Sequence, residues 1–356
     1  MAPAELPANG RILVRLPNFL GDVLFCTPAL AALRRGRPDL SLTALVKPKV
    51  KGVVEAMPFF TEVRVLRGTG PRETVAEAAA LRREAFDGTL VFPKGLREAL
   101  LPALARIPVR IGLATDHRAP FLTHPVPFGE REWHLHHVEQ FALVLGPLGL
   151  RLQGEGLFFP VSGEDRRGAE RLLAAHGVAR PYVVLHPGAS KPARAWKEEG
   201  FVAVAKALGG RGGTAVVLTG TEEEGELCRR IAAAVPGAKD LSGRTPVGVL
   251  AALLEGAALL LGNDSGPMHL AAAVGTPVVA VFGPGSPGKT RPWLPPEKHR
   301  CLWAALPCSP CRQAFWRECR PSPAGKPPCL EAVSSEAVLR ACLELLGGEG
   351  KAGSGP

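Results

Sequence analysis

Residues 261–285, LGNDSGPMHLAAAVGTPVVAVFGPG, read as the end of a strand, a tight turn, a helix and a second strand. The apolar run 257–261 stops at Asn263, Asp264 and Ser265, and Pro267 follows where a first helical residue would stand. Asp264 or Ser265 can cap the orphan backbone N–H groups, Pro267 lacks one that would go unsatisfied, and Gly266 lets another molecule approach the backbone closely. Gly275-Thr276-Pro277 then turns the chain into a second apolar run, 278–282. Pattern alone fits any well-capped βαβ crossover. Asp264 and His269, five residues apart at the carboxyl end of a buried strand beside an anion-seeking helix terminus, favour a sugar-phosphate or nucleotide site.

Upstream, the same strand–helix rhythm covers residues 164–255: helices at 164–176, 201–208, 223–234 and 247–255, and strands at 182–186, 214–219 and near Lys239. Two loops follow carboxyl ends of strands. His186-Pro187-Gly188-Ala189-Ser190-Lys191, with Arg194 and Trp196, combines glycine, a hydroxyl, two cations and exposed N–H groups, the equipment of a pyrophosphate cradle. Thr219-Gly220-Thr221-Glu222-Glu223-Glu224 puts carboxylates at a helix start. They act there either as dipole partners or as acceptors for a ribose diol.

The first half repeats the rhythm. A strand at 11–16 leads through Pro17-Asn18-Phe19-Leu20-Gly21-Asp22 into a helix whose early part Pro28 should distort, because it removes one ladder bond. Strands follow at 42–46, 63–66, 89–92 and 109–112, and helices at 74–84 and 96–105. Asp22, at a helix start beyond a strand end, is either a cap or a general base. Lys94, Arg97, Arg106, Arg110 and Arg118 gather in loops and could hold a phosphorylated acceptor, Asn18, Lys94, Arg97 and Arg118 being the named candidates, with a merely solvated basic rim as the plainer reading. His134, His136, His137 and Glu139 lack the i, i+4 histidine pair of a zinc helix, so one of them is expected to line a cleft rather than three to bind metal. Residues 151–166 carry Gly, Pro and Ser without periodicity, and the domain boundary is expected there.

With 356 residues, 46% hydrophobic and 21% charged, the chain should form two α/β domains, 1–160 and 161–346. A formal charge of +10 favours anionic partners, although a basic surface alone would produce it. The opening residues lack a signal-peptide pattern and no apolar run approaches a membrane span, which predicts a cytoplasmic protein. Aromatic residues at 6% are too few for a base-stacking nucleic-acid binder. Within the Pro- and Cys-rich segment 301–329, Cys308, Cys311, Cys319 and Cys329 could hold structural zinc or an iron–sulfur cluster. The second Cys-x-x-Cys of a zinc ribbon is missing, however, so reduced thiols in a compact loop are favoured. A final helix is expected at 334–346 and a disordered tail at 347–356.

Together, ILVRLPNFLGDVLFCTPAL (12–30), LHPGASKPARAW (185–196), LTGTEEEGEL (218–227), GNDSGPMHLAAAVGTPVVAVFGP (262–284) and CSPC…C…C (308–329) resemble the ADP-heptose:lipopolysaccharide heptosyltransferases over nearly the whole chain. These belong to glycosyltransferase family 9, and the PNFLGD form is nearer the second heptosyltransferases than the first. The resemblance implies a GT-B fold, two Rossmann-like parallel-sheet domains facing across a cleft, the first binding acceptor and the second a nucleotide-sugar. It also implies inverting transfer from ADP-heptose to a lipid-linked glycan, with no required cofactor and a peripheral contact with the inner membrane face. Asp22 then matches the family's base. Ser190 and Arg194 (where the family usually has lysine) match the diphosphate contacts, with Lys191 as a further candidate cation there, and Glu224, rather than Glu222, matches the ribose carboxylate. Asp264, Ser265, Gly266 and His269 match the donor motif. Another nucleotide-sugar donor, a GT-B epimerase or phosphorylase, and a non-catalytic nucleotide-binding protein remain as rival readings.

Overall fold

Strands buried on both faces read as unbroken apolar runs rather than alternations, and Ile12, Leu13 and Val14 or Leu259, Leu260 and Leu261 are each at most 1% exposed. In the computed structural model they build two six-stranded parallel sheets, one in each of two compact units, Met1–Pro160 and Val161–Pro356. The structure describes residues 3–348 except 69, 211, 212, 312, 314, 316, 318, 323 and 324.

The first unit holds β1 (Arg11–Arg15), β2 (Ser41–Val46), β3 (Glu62–Val65), β4 (Gly88–Val91), β5 (Val109–Leu113) and β6 (His124–Val126), in the order β3-β2-β1-β4-β5-β6. The second holds β7 (Tyr182–His186), β8 (Ala215–Leu218), β9 (Lys239–Asp240), β10 (Leu259–Asn263), β11 (Val278–Phe282) and β12 (His299–Trp303), in the order β12-β11-β10-β7-β8-β9. In each sheet the strand order reverses once, between β1 and β4 and between β7 and β10. The loops that leave the carboxyl ends of those strands diverge there and open the crevice in which such sheets take ligands.

Pro28 does not break the first helix, which runs over Leu20–Gly36. The proline frees the Leu24 carbonyl, and the Thr27 hydroxyl takes over by donating to it at 2.7 Å. The hydroxyl oxygen also accepts from the Phe158 N–H at 2.9 Å, which ties the end of the unit to the helix. Thr27→Val keeps the shape and removes both bonds. It is expected to destabilise the unit by about 1–3 kcal/mol, read as a lower urea midpoint at unchanged slope.

Two stretches depart from expectation. Residues 299–303, where the proline-rich segment begins, form β12, an edge strand in register with β11. The last helix is Ser335–Gly348, so residues 347 and 348 are helical rather than part of a tail, and 349–356 lie outside the described residues. Among the described residues no helix is long and apolar enough to cross a membrane.

Candidate functional site

In the second unit the site is built where β7 and β10 end. Asn263, the last residue of β10 and fully buried, donates to the carbonyls of Pro187 (2.9 Å) and Gly188 (3.0 Å). Its Oδ1 accepts from the Trp196 N–H at 2.9 Å. One amide therefore sets the whole 187–196 loop against β10. Trp196, 1% exposed, is the loop's anchor rather than a ligand contact, and its indole N–H donates to the Val333 carbonyl.

That staple brings Arg194 to Asp264. The guanidinium Nη2 lies 2.7 Å from Asp264 Oδ2 and 3.2 Å from the Asp264 carbonyl. Asp264 is 8% exposed, a depth at which a carboxylate needs a charged partner. At the next helix, Gly266–Ala273, Ser265 is the N-cap in extended backbone, but its side chain makes no capping bond, and Pro267 is the second helical residue rather than the first. Ser265 Oγ and Arg194 Nε are both buried with no hydrogen-bond partner among the described residues. A helix N-terminus whose N-cap side chain makes no capping bond, with two unspent buried donors beside it, is equipped to receive an anion. His269 lies on the same helix and is 4% exposed.

Two glycines make room for carboxylates. A Cβ at Gly285 would stand 2.3 Å from Asp264 Oδ2, and one at Gly188 would stand 2.0 Å from Glu224 Oε1. Glu224 thus packs on the backbone of the 187–196 loop. Its Oε2 accepts from the Thr221 N–H at 2.8 Å and lies 3.6 Å from His186 Nε2. His186 Nδ1 is 3.2 Å from the Thr219 hydroxyl, and desolvation lowers the imidazole's pKa against the opposing charge of Glu224. Glu222, by contrast, is exposed, as are Ser190 and Lys191; the Lys191 ammonium lies 6.0 Å from the Phe315 ring centroid.

In the first unit the corresponding position is the end of β1 beside β4. Asp22 is the third residue of the Leu20–Gly36 helix, and its side chain is 34% exposed. The loop before it is held by Arg15, a 3%-exposed residue that donates to the carbonyls of Leu16 and Leu45 and, at 2.9 Å, to Asn18 Oδ1. Glu98 lies 3.7 Å away, and burial still pushes the guanidinium's pKa down to about 10. Lys94 donates to Gln140 Oε1 and sits over Phe128 (4.8 Å) and Trp133 (5.4 Å).

Two acceptor candidates are bonded within the unit. Arg118 is completely buried, its guanidinium donating to the carbonyls of Leu113, Pro93 and Gly95. It closes the ends of β4 and β5, with its Nη2 buried and without a hydrogen-bond partner among the described residues. Arg97 spends its guanidinium on the Gly68 carbonyl and the Thr74 hydroxyl. Of the histidine run, His136 caps the next helix through Val138 N–H, while His137 faces Asp22. Among the described residues no group of three or more His, Cys, Asp or Glu is arranged to hold a metal ion, Cys308, Cys311, Cys319 and Cys329 included. Burial, with Cys311 and Cys308 nearby, pushes the Cys329 thiol up to about 11.

No motif in the sequence marks Asn263, Arg15 or His137 individually. The signal for the first is a polar residue closing a buried apolar run. For Arg15 it is a lone charge at the end of one.

Comparison with known proteins places these residues in a family context. The model for glycosyltransferase family 9 (heptosyltransferase) matches residues 75–319, more than half of the chain. Lipopolysaccharide heptosyltransferase 3 of Escherichia coli is 29% identical, over 78% of this chain and 84% of its own length. Lipopolysaccharide heptosyltransferase 2 of Salmonella typhimurium is 27% identical, over 82% and 86%. The solved structure of E. coli ADP-heptose lps heptosyltransferase II superposes with a TM-score of 0.76 over 96% of this chain and 99% of that one, at 23% identity, and so shares the fold.

Proposed function

Because the chain belongs to glycosyltransferase family 9, the heptosyltransferases, and is a glycosyltransferase of the GT-B fold, we propose that it moves a heptose from ADP-heptose to a hydroxyl of a lipid-linked glycan of the lipopolysaccharide-core class, inverting the anomeric carbon. The observation that carries the donor side is the Arg194–Asp264 pair, with Arg194 Nε and Ser265 Oγ unspent at the start of the Gly266–Ala273 helix. Those donors suit a diphosphate.

In this reading the acceptor oxygen attacks the anomeric carbon as its proton passes to a carboxylate oxygen of Asp22. The bond from that carbon to the β-phosphate oxygen breaks, and its electron pair leaves with ADP. Arg194, Ser190, Lys191, Ser265 Oγ and the helix N–H groups, that of Gly266 among them, take up the negative charge that develops there, the service that a divalent metal performs in other transferases. His269 completes the donor-sugar side, Glu224 accepts from the ribose hydroxyls, and Asn18 and Lys94 meet the acceptor. A lipid-linked acceptor would draw a cytoplasmic enzyme to the inner membrane face.

The test is nucleotide diphosphate release from ADP-heptose and from UDP- and GDP-sugars, with and without a heptose-bearing lipid-core acceptor, in EDTA. Acceptor-dependent release of ADP that survives the chelator is expected. Preference for another nucleotide changes the donor, and ADP binding without turnover overturns the transferase reading. Gly188→Ala should displace the Glu224 carboxylate and raise the KM for ADP-heptose roughly 10–100-fold, the worth of a hydrogen bond to a charged group, with kcat much less affected in initial-rate measurements.

A further inference from the structure

His137 is the first residue of the His137–Ala142 helix, and its Nδ1 lies 3.8 Å from Asp22 Oδ1. The side chain as a whole is 26% exposed, yet Nδ1 is buried and makes no hydrogen bond among the described residues. Leaving a ring nitrogen dry and unused costs free energy, so such a group calls for an explanation.

The fold does not need this nitrogen. The neighbouring His136, 1% exposed, already secures the start of the helix, since its Nδ1 accepts from the Val138 N–H and Glu139 accepts from the His136 N–H at 2.9 Å. The His137 ring is nonetheless held in place. It stands edge-on to Phe25 (5.6 Å, 86°) and tilted against Phe141 (6.2 Å, 57°). Phe25 follows Asp22 by three residues on the first helix, so the wall that orients the imidazole is one helical turn from the carboxylate.

We infer that His137 is a positioning residue for Asp22. Its Nδ1–H donates to Oδ1 and fixes the carboxylate so that Oδ2 takes the acceptor proton. The present 3.8 Å closes to hydrogen-bond length when substrate binds, as such contacts do when they tighten on forming the Michaelis complex. The imidazole neither gains nor loses a proton in the step. The inference rests on Asp22 being the base.

The test compares wild type, His137→Ala, His137→Asn, Asp22→Asn and the double variant Asp22→Asn/His137→Ala by steady-state kinetics with ADP-heptose and acceptor. His137→Ala is expected to lower kcat about 10–100-fold, the scale of a misplaced catalytic group, at unchanged donor KM and melting temperature. His137→Asn, whose amide nitrogen falls about where Nδ1 stood, should recover most of it. On the residual turnover of Asp22→Asn, His137→Ala should cost nothing more. Full activity in His137→Ala, no recovery with asparagine, or an equal further loss in the Asp22→Asn background overturns the assignment. Undiminished turnover in Asp22→Asn itself would instead remove the base, and ADP-heptose left intact by the wild type would remove the transferase reading.

Discussion

Asp22→Asn is expected to lower kcat by about 10²–10⁴-fold, the range a positioned general base supplies, while the KM for ADP-heptose moves only a few-fold. The substitution keeps size and hydrogen-bonding shape and removes the capacity to accept a proton. Stability should hardly register it. Asp22 is a third exposed at the third residue of its helix, where a first-turn carboxylate contributes about 0.3–1 kcal/mol through the helix dipole. A large kinetic loss with a small thermal shift therefore separates chemistry from folding. Asp22→Glu retains the base but adds a methylene, and should fall between wild type and asparagine. Retained turnover in Asp22→Asn, measured as acceptor-dependent ADP release, would mean that no carboxylate at this position takes the proton.

How much of this could be read from the sequence depends on whether a feature is local. The strands were legible because parallel sheets bury both faces, which leaves apolar runs such as residues 259–261 closed by a polar turn. The turn from β10 into the Gly266–Ala273 helix was legible for the same local reason. What was not legible is how distant side chains spend their hydrogen bonds. Arg118 and Lys94 look alike as basic loop residues, but three carbonyls at the ends of β4 and β5 converge on Arg118 and withdraw it into the interior. That the helix continues past Pro28 with the Thr27 hydroxyl bonded to the freed Leu24 carbonyl is likewise not written in the sequence. Strand β12 was hidden because four of its residues are only partly buried and Trp303 is exposed, within a proline-rich stretch, so neither alternation nor an apolar run marks it. The pairing of Arg194 with Asp264 spans seventy residues, across a loop that Asn263 bonds to the end of β10.

That pairing leads to the second large effect. Arg194→Ala should lower kcat/KM about 10²–10³-fold, the usual consequence of removing one donor from a developing oxyanion. Two contributions are mixed in that number and can be separated. The alanine leaves the nearly buried Asp264 carboxylate without this guanidinium, and breaking such a pair costs about 3–5 kcal/mol, so the melting temperature should fall as well. Arg194→Lys keeps the charge beside Asp264 but replaces the planar fork with a single ammonium that cannot serve Asp264 and a phosphate together at fixed geometry. Its stability should stay near wild type while kcat drops by an intermediate factor. If the arginine only braced Asp264, lysine would restore activity as fully as stability, and ADP affinity measured by calorimetry would be unchanged. If it also stabilises the leaving diphosphate, lysine restores the fold and leaves the rate depressed. The buried, unspent Arg194 Nε favours the second outcome, because the bond to Asp264 runs through Nη2 and leaves that donor for a phosphate oxygen.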